Sequence, residues 1–111
     1  MFNRRLLPAI VVLVALAIMS VGTVSAQDGG KLQEIQDRGV LNCGVSGGLP
    51  GFSIQNPDTG EWEGLDVDFC RATAVAIFGE VTEENLNFVA LTSDVRFTAL
   101  QAGEVDLLHR N

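Results

Sequence analysis

From Lys31 onward, apolar and polar positions repeat with two different periods, and the changes of period mark out short elements. Leu32 and Ile35 are one helical turn apart and Gly39 follows, which predicts a short amphipathic helix closed by the glycine. Val40 to Val45 reads as a strand, with Leu41, Cys43 and Val45 on one face and Asn42 and Gly44 on the other. Ser46-Gly47-Gly48-Leu49-Pro50-Gly51 cannot continue that strand, because its glycines admit positive φ and Pro50 fixes its own. Phe52 to Gln55 alternates again, Asn56 to Gly60 is turn chemistry throughout, and Glu61 to Gly64 returns, predicting a hairpin.

The second half alternates helix and strand. Asp66 is placed to cap a helix over Val67–Phe78 that Gly79 ends, with Val67, Cys70, Ala74, Ile77 and Phe78 on its inner face. Phe88 to Leu91 is the next strand. Thr92-Ser93-Asp94 is expected to cap a second helix that runs through Ala102 to Gly103, with Phe97 and Leu100 packed inward. Val105 to Leu108 is the third core strand. This order predicts an α/β fold with a mainly parallel sheet flanked by helices. Ligands of such sheets lie beyond the carboxyl ends of the strands. Three segments meet there: the Ser46–Phe52 loop, the Thr92–Arg96 loop and the residues at and after His109.

The first 26 residues follow another pattern. Arg4 and Arg5 precede an apolar run from Leu6 to Met19, and Val24-Ser25-Ala26 offers a small-x-small cleavage site before Gln27. These features predict a signal peptide over residues 1–26, a polar linker over 27–31, and export to the periplasm. The alternative, an uncleaved anchor, is disfavoured by Pro8 and by a run shorter than the roughly 20 residues a span requires. Leu6-Leu7-Pro8 suits the general secretory route better than twin-arginine export. The 111-residue chain carries 7 Lys+Arg and 14 Asp+Glu, and losing Arg4 and Arg5 takes its net charge from −7 to −9. A nucleic-acid backbone or an anionic membrane would repel it.

Export also bears on the two cysteines, Cys43 and Cys70. They can form a structural bridge or remain as buried thiols, and without a Cys-x-x-Cys they do not form a redox motif. The predicted strand and helix place both on inward faces, so a bridge forms if those faces meet. No zinc spacing occurs, and the one histidine, His109, has no metal or nucleophile partner in the pattern. No Gly-Lys-Ser/Thr is present, so the glycine-rich loop is not a nucleotide cradle, and no cofactor is implied. Asp66 and Asp68, two apart on a helix, do not form an acid–base pair.

Arg96 is the candidate ligand group. A cation in the first turn of a helix gains nothing from the dipole, whereas its fork can hold a carboxylate with Ser93 beside it. The plainer alternative is a solvated arginine or a pair with Asp94. Phe52 offers an apolar wall and Trp62 packs the hairpin, with a place in the core as the plain alternative for each.

Arg38-Gly39-Val40-Leu41-Asn42-Cys43-Gly44-Val45-Ser46, Leu49-Pro50-Gly51-Phe52-Ser53, Gly60-x-Trp62-x-Gly64-x-Asp66-Val67-Asp68-Phe69-Cys70-Arg71-Ala72 and Leu91-Thr92-Ser93-x-x-Arg96-Phe97-x-Ala99-Leu100-Gln101-x-Gly103-Glu104-Val105-Asp106 together resemble the family 3 periplasmic solute-binding proteins of polar and general amino-acid ABC transporters. The resemblance covers nearly all of residues 32–111. It implies a two-lobed, hinge-closing, monomeric protein without a catalytic step or cofactor, of which these residues form the first, incomplete part of lobe one. It implies an L-amino acid ligand, an inner-membrane permease as partner, and no nucleic acid. Ser46, Phe52, Ser93 and Arg96 fall where such proteins line the cleft, Arg96 at a position that touches ligand in acidic-amino-acid binders. The main carboxylate-binding arginine is expected beyond Asn111. Two other readings are an exported enzyme on the same fold, either cell-wall lytic or like cyclohexadienyl dehydratase, and a non-functional fragment.

Overall fold

A computed structural model describes residues 30–110, so the predicted signal peptide and the start of the linker lie outside the described residues. Helix α1 spans Gly30–Arg38, so Gly30 and Lys31, the last residues of the expected linker, are helical. It buries Ile35 alone, while Leu32 stays 53% exposed, so the expected apolar pair contributes one residue to the core.

Strand β1 (Leu41–Val45) follows after Gly39. Its inward face is fully buried through Leu41, Cys43 and Val45, as the alternation predicts. Two short strands, β2 (Gly48–Leu49) and β3 (Ser53–Gln55), then pair antiparallel, and β3 pairs with β4 (Trp62–Glu63). The glycine-rich loop is thus partly a strand: Gly48 stands opposite Ile54, and Leu49 opposite Ser53. The turn between β3 and β4 closes through Asn56, whose Oδ1 accepts from the Asp58 amide at 2.8 Å.

Helix α2 (Leu65–Phe78) returns across the sheet to β5 (Leu86–Ala90), and α3 (Arg96–Ala102) leads to β6 (Leu107–Leu108). The main sheet is parallel in the order β5-β1-β6, with Cys43 opposite both Phe88 and Leu107. Both crossovers are helical, as parallel pairing requires. Cys70 and Ala74 of α2 are buried against the Leu41, Cys43 and Val45 face, and Val67 of the same helix is also fully buried. There Cys43 and Cys70 form a disulfide with Cα atoms 6.1 Å apart. On the other face, Ala99 of α3 packs with Leu91 and Val105.

Three details differ from the sequence reading. Asp66 does not cap α2: Gly64 precedes the helix, and Asp66 lies in its first turn, where the helix dipole favours a carboxylate. Gly64 has φ 122°, and a Cβ there would meet the Phe52 carbonyl oxygen at 2.4 Å, so backbone approach dictates this residue. Likewise Thr92, Ser93 and Asp94 do not cap α3, which Val95 precedes without a side-chain cap. Phe97 and Leu100 are 59% and 38% exposed rather than inward. They lie roughly 160° and 100° around the helix from Ala99, the small residue that lets this short helix lie close to the sheet.

Asp106 fastens the far strand. Its backbone N–H donates to the Asn42 carbonyl at 2.8 Å, and its Oδ2 accepts from the Asn42 N–H at 2.8 Å. The same oxygen pairs with Arg38, and Oδ1 lies 3.0 Å from the Lys31 ammonium. The carboxylate has no solvent exposure, yet its pKa is below the usual 3.8. Burial pushes it up, but the Asn42 amide, Lys31 and Arg38 outweigh burial.

Two outcomes follow from this packing. Replacing Cys43 and Cys70 by alanine opens a loop spanning 27 positions. In a chain-entropy treatment this lowers unfolding free energy by about 3–4 kcal/mol, read by denaturant titration. Because the folded pKa of Asp106 is depressed, its contribution is complete above the ordinary value of 3.8 and fades as pH falls through the lower native value. Asp106→Asn removes that acid limb and destabilises by about 1–3 kcal/mol at neutral pH, because the Asn42 amide loses a charged acceptor while the partly exposed Arg38 and Lys31 return to solvent.

Candidate functional site

All three parallel strands run toward one edge, and the loops that leave it carry the residues singled out by sequence. The ladder extends past the strand ends there: Leu91 N–H donates to Val45 O and His109 N–H to Gly44 O, each at 2.9 Å. The loops after β1, β5 and β6 therefore start side by side.

After β1 the chain turns at Ser46 and Gly47, whose amides both donate to Ser53 Oγ, at 3.1 and 3.3 Å. Ser53 is fully buried, so this one hydroxyl sets the shape of the loop from beneath. Gly47 has φ 79°, and a Cβ on it would come within 2.7 Å of the Ala90 Cβ, so the loop lies directly on the end of β5. Ser46 itself is half-buried at the rim. Phe52 is 39% exposed and stands at the entrance to α2, where its carbonyl accepts the Asp66 amide at 2.9 Å.

The loop after β5 is held at two points. Asp94 accepts from the Thr92 hydroxyl, and this bond, aided by backbone amides, draws its pKa below 3.8. Asp94 is consequently anionic at neutral pH, two residues before the start of α3. Ser93 is exposed, and Arg96 opens α3 with its guanidinium 4.8 Å from the centre of the Phe97 ring. Arg96 is half-buried, with its Nε enclosed.

The residue the pattern did not single out is Arg110. It follows β6, and its guanidinium donates to the Leu91 carbonyl and, at 3.0 Å, to Ser93 Oγ. One planar fork thereby ties the strand β6 exit to the loop after β5. Nothing in local periodicity marks it, because the contact joins positions 17 and 19 residues apart. His109, just before it, lays its ring on Phe69 with centroids 5.3 Å apart. Ser93 and Arg110 are brought together, while Ser46 and Phe52 border the neighbouring loop. The edge collects hydroxyls, loop backbone and two arginines, groups suited to a small polar or anionic ligand.

A parallel α/β lobe with polar loops gathered at its carboxyl edge defines a small-molecule binding module of the periplasmic-binding-protein type. Residues 41–111 match the family model for bacterial extracellular solute-binding proteins, family 3, and the chain belongs to that family. It is 44% identical over 96 residues, 86% of its length, to the general L-amino acid-binding periplasmic protein AapJ of Rhizobium johnstonii, of which those residues cover 27%. The fold superposes with TM-score 0.65 and 52% identity on a periplasmic binding protein from Brucella ovis with glutathione bound, covering 71% of this chain and 24% of that one. It also superposes, with TM-score 0.61 and 30% identity, on an ancestral amino-acid-binding protein described as a precursor of cyclohexadienyl dehydratase, covering 71% of this chain and 32% of that one. The chain spans about a quarter to a third of these relatives.

The Ser46 loop supplies a test of the geometry. Ser53→Ala leaves two part-buried amides without their acceptor. Stability is expected to fall by about 1–3 kcal/mol, and amide exchange at Ser46 and Gly47 to accelerate at least tenfold relative to β1.

Proposed function

We propose that the full-length protein is a periplasmic, non-catalytic capture component that delivers an L-amino acid to an inner-membrane ABC permease. In this reading the chain supplies one wall of the binding cleft. The observation that carries it is the convergence of the Ser46–Phe52 loop and the Ser93–Arg110 pair at the carboxyl edge of the parallel sheet. A bound amino acid presents an ammonium and a carboxylate, and a buried site must satisfy both. Ser46 and the loop backbone can meet one end, and Ser93 and Arg96 the other. Phe52 then covers apolar parts of the ligand. The capture role is supported by family membership and by similarity to AapJ, whose name describes general L-amino acid binding.

Export through a cleavable signal peptide, predicted over residues 1–26, places the protein in the compartment where such capture occurs. The same location suits the Cys43–Cys70 bridge, since disulfides persist in oxidising compartments. A single copy suffices for capture, with the opposing wall supplied by a second lobe of the full-length protein. The second reading, an exported dehydratase-type enzyme, is favoured by the similarity to the ancestral precursor of cyclohexadienyl dehydratase. In that case a catalytic acid lies outside this chain.

The test is titration calorimetry of the full-length protein against the common L-amino acids, beside incubation with a cyclohexadienyl carboxylate followed by product analysis. Saturable amino-acid binding without turnover is expected. Arg110→Ala should weaken binding about tenfold or more by releasing the Ser93 loop, and Arg110→Lys should recover part of the loss, since lysine cannot fork. Turnover of the cyclohexadienyl acid, or no amino-acid binding by the unaltered protein, contradicts the capture role.

A further inference from the structure

A groove lies at the opposite side of the sheet from β6, and the candidate cleft residues do not line it. It measures about 830 Å³ and runs along β5, between that strand, the β3–β4 hairpin and the loop before β5. Trp62, Arg71, Leu86 and Phe88 form its walls, with Gln55 and Glu83 at its mouth.

Among the described residues β5 is an edge strand, paired with β1 on one side. The parity of its hydrogen bonds is fixed at both ends: Leu41 N–H donates to Asn85 O, and Leu91 N–H donates to Val45 O. In a parallel ladder, the odd-numbered positions 85 to 91 therefore point their backbone groups toward β1. Leu86, Phe88 and Ala90 point theirs outward, and all three line the groove. An occupant that satisfies alternate donors and acceptors spaced along a strand is itself an extended peptide.

The walls and charges narrow the chemistry. Phe88 and Trp62 pack with ring centroids 5.4 Å apart, giving an apolar floor. Arg71 lies 5.9 Å from the Phe88 ring centre, but its charge is met by Asp68 at 3.1 Å, and it also donates to the Trp62 carbonyl at 2.7 Å. Glu83 is the lining charge without a comparable ion pair, and Glu80 and Glu84 flank it in the same loop. A second copy of this chain would bring the same glutamates and the same net negative charge to the groove.

We propose that the β5 edge is a docking site for an extended peptide strand that carries basic side chains between apolar ones. The strand adds to the sheet through Leu86, Phe88 and Ala90, places an apolar residue over Trp62 and Phe88, and sets a lysine or arginine against Glu83. The groove shares no lining residue with Ser46, Phe52, Ser93 or Arg96, although its Ala90 and Trp62 lie against Gly47 of the neighbouring loop.

The probe is a blocked five-residue peptide of alternating valine and lysine, with a valine–glutamate peptide as its counterpart, titrated into the full-length protein. Residue-resolved amide exchange reports the result. The lysine peptide is expected to bind saturably and to slow exchange at Leu86, Phe88 and Ala90 at least tenfold, leaving Asn87 and Val89 unchanged. Ala90→Pro removes one outward donor while sparing the β1 ladder, and should weaken binding about tenfold with Asn87 and Val89 still protected. Glu83→Lys should weaken the lysine peptide to a similar degree and admit the glutamate peptide. Absence of saturable binding, equal binding of both peptides, or protection elsewhere overturns the proposal. So does slowing of the same three amides by raised protein concentration alone, which would make a second copy the occupant.

Discussion

The carboxyl edge of this sheet depends on how β6 is fastened to β1, and Asp106 does the fastening. Its backbone and side chain exchange hydrogen bonds with one residue, Asn42, while Arg38 and Lys31 neutralise the carboxylate from α1. A buried carboxylate is costly unless it is paired and hydrogen-bonded, and here two cations and the Asn42 amide meet it. The helix that precedes β1 is therefore locked to the strand that pairs with β1 farthest along the chain. Arg110 leaves that strand four residues after Asp106, so the position of its fork on Ser93 follows from an ion cluster at the other end of β6.

The same frame explains why small groups recur at the edge. Gly44 packs where a Cβ would meet the Leu108 side chain at 2.6 Å, allowing β6 and the segment after β5 to close over β1. Ser53 substitutes a hydroxyl for a main-chain partner under the loop after β1. The disulfide ties that central strand to α2 on its opposite face. Rigid attachment below leaves the upper surfaces of the loops exposed, which suits groups meant to meet a ligand. An acidic chain can still present an anion-compatible edge, because Arg96 and Arg110 are placed there by the fold rather than by overall composition.

Much of this was legible in the residues. Strict alternation in Leu41, Cys43 and Val45 marked the buried face of β1, and the spacing of Val67, Cys70 and Ala74 marked the face of α2, so the Cys43–Cys70 contact could be anticipated as one of two outcomes. Glycines 79 and 103 ended their helices where the pattern put them. Helix starts were less legible: Asp66 and Ser93 have capping chemistry, but a close backbone approach at Gly64 and an uncapped start at Val95 decided the boundaries. Phe97 and Leu100 read as core because they are apolar, whereas the contact surface chose Ala99. Arg110, Ser53 and Asp106 were not legible as a group, since each acts through a partner that only the tertiary arrangement brings near.

The central claim is that this chain forms one wall of an amino-acid cleft at the carboxyl edge of its sheet. Hydrogen exchange with mass spectrometry on the full-length protein, with and without a saturating L-amino acid, tests it most directly. The account predicts that ligand slows exchange in segments 46–52 and 91–96, while 79–85 at the opposite end of the sheet is unchanged. Strong binding that leaves both cleft segments unprotected would contradict it.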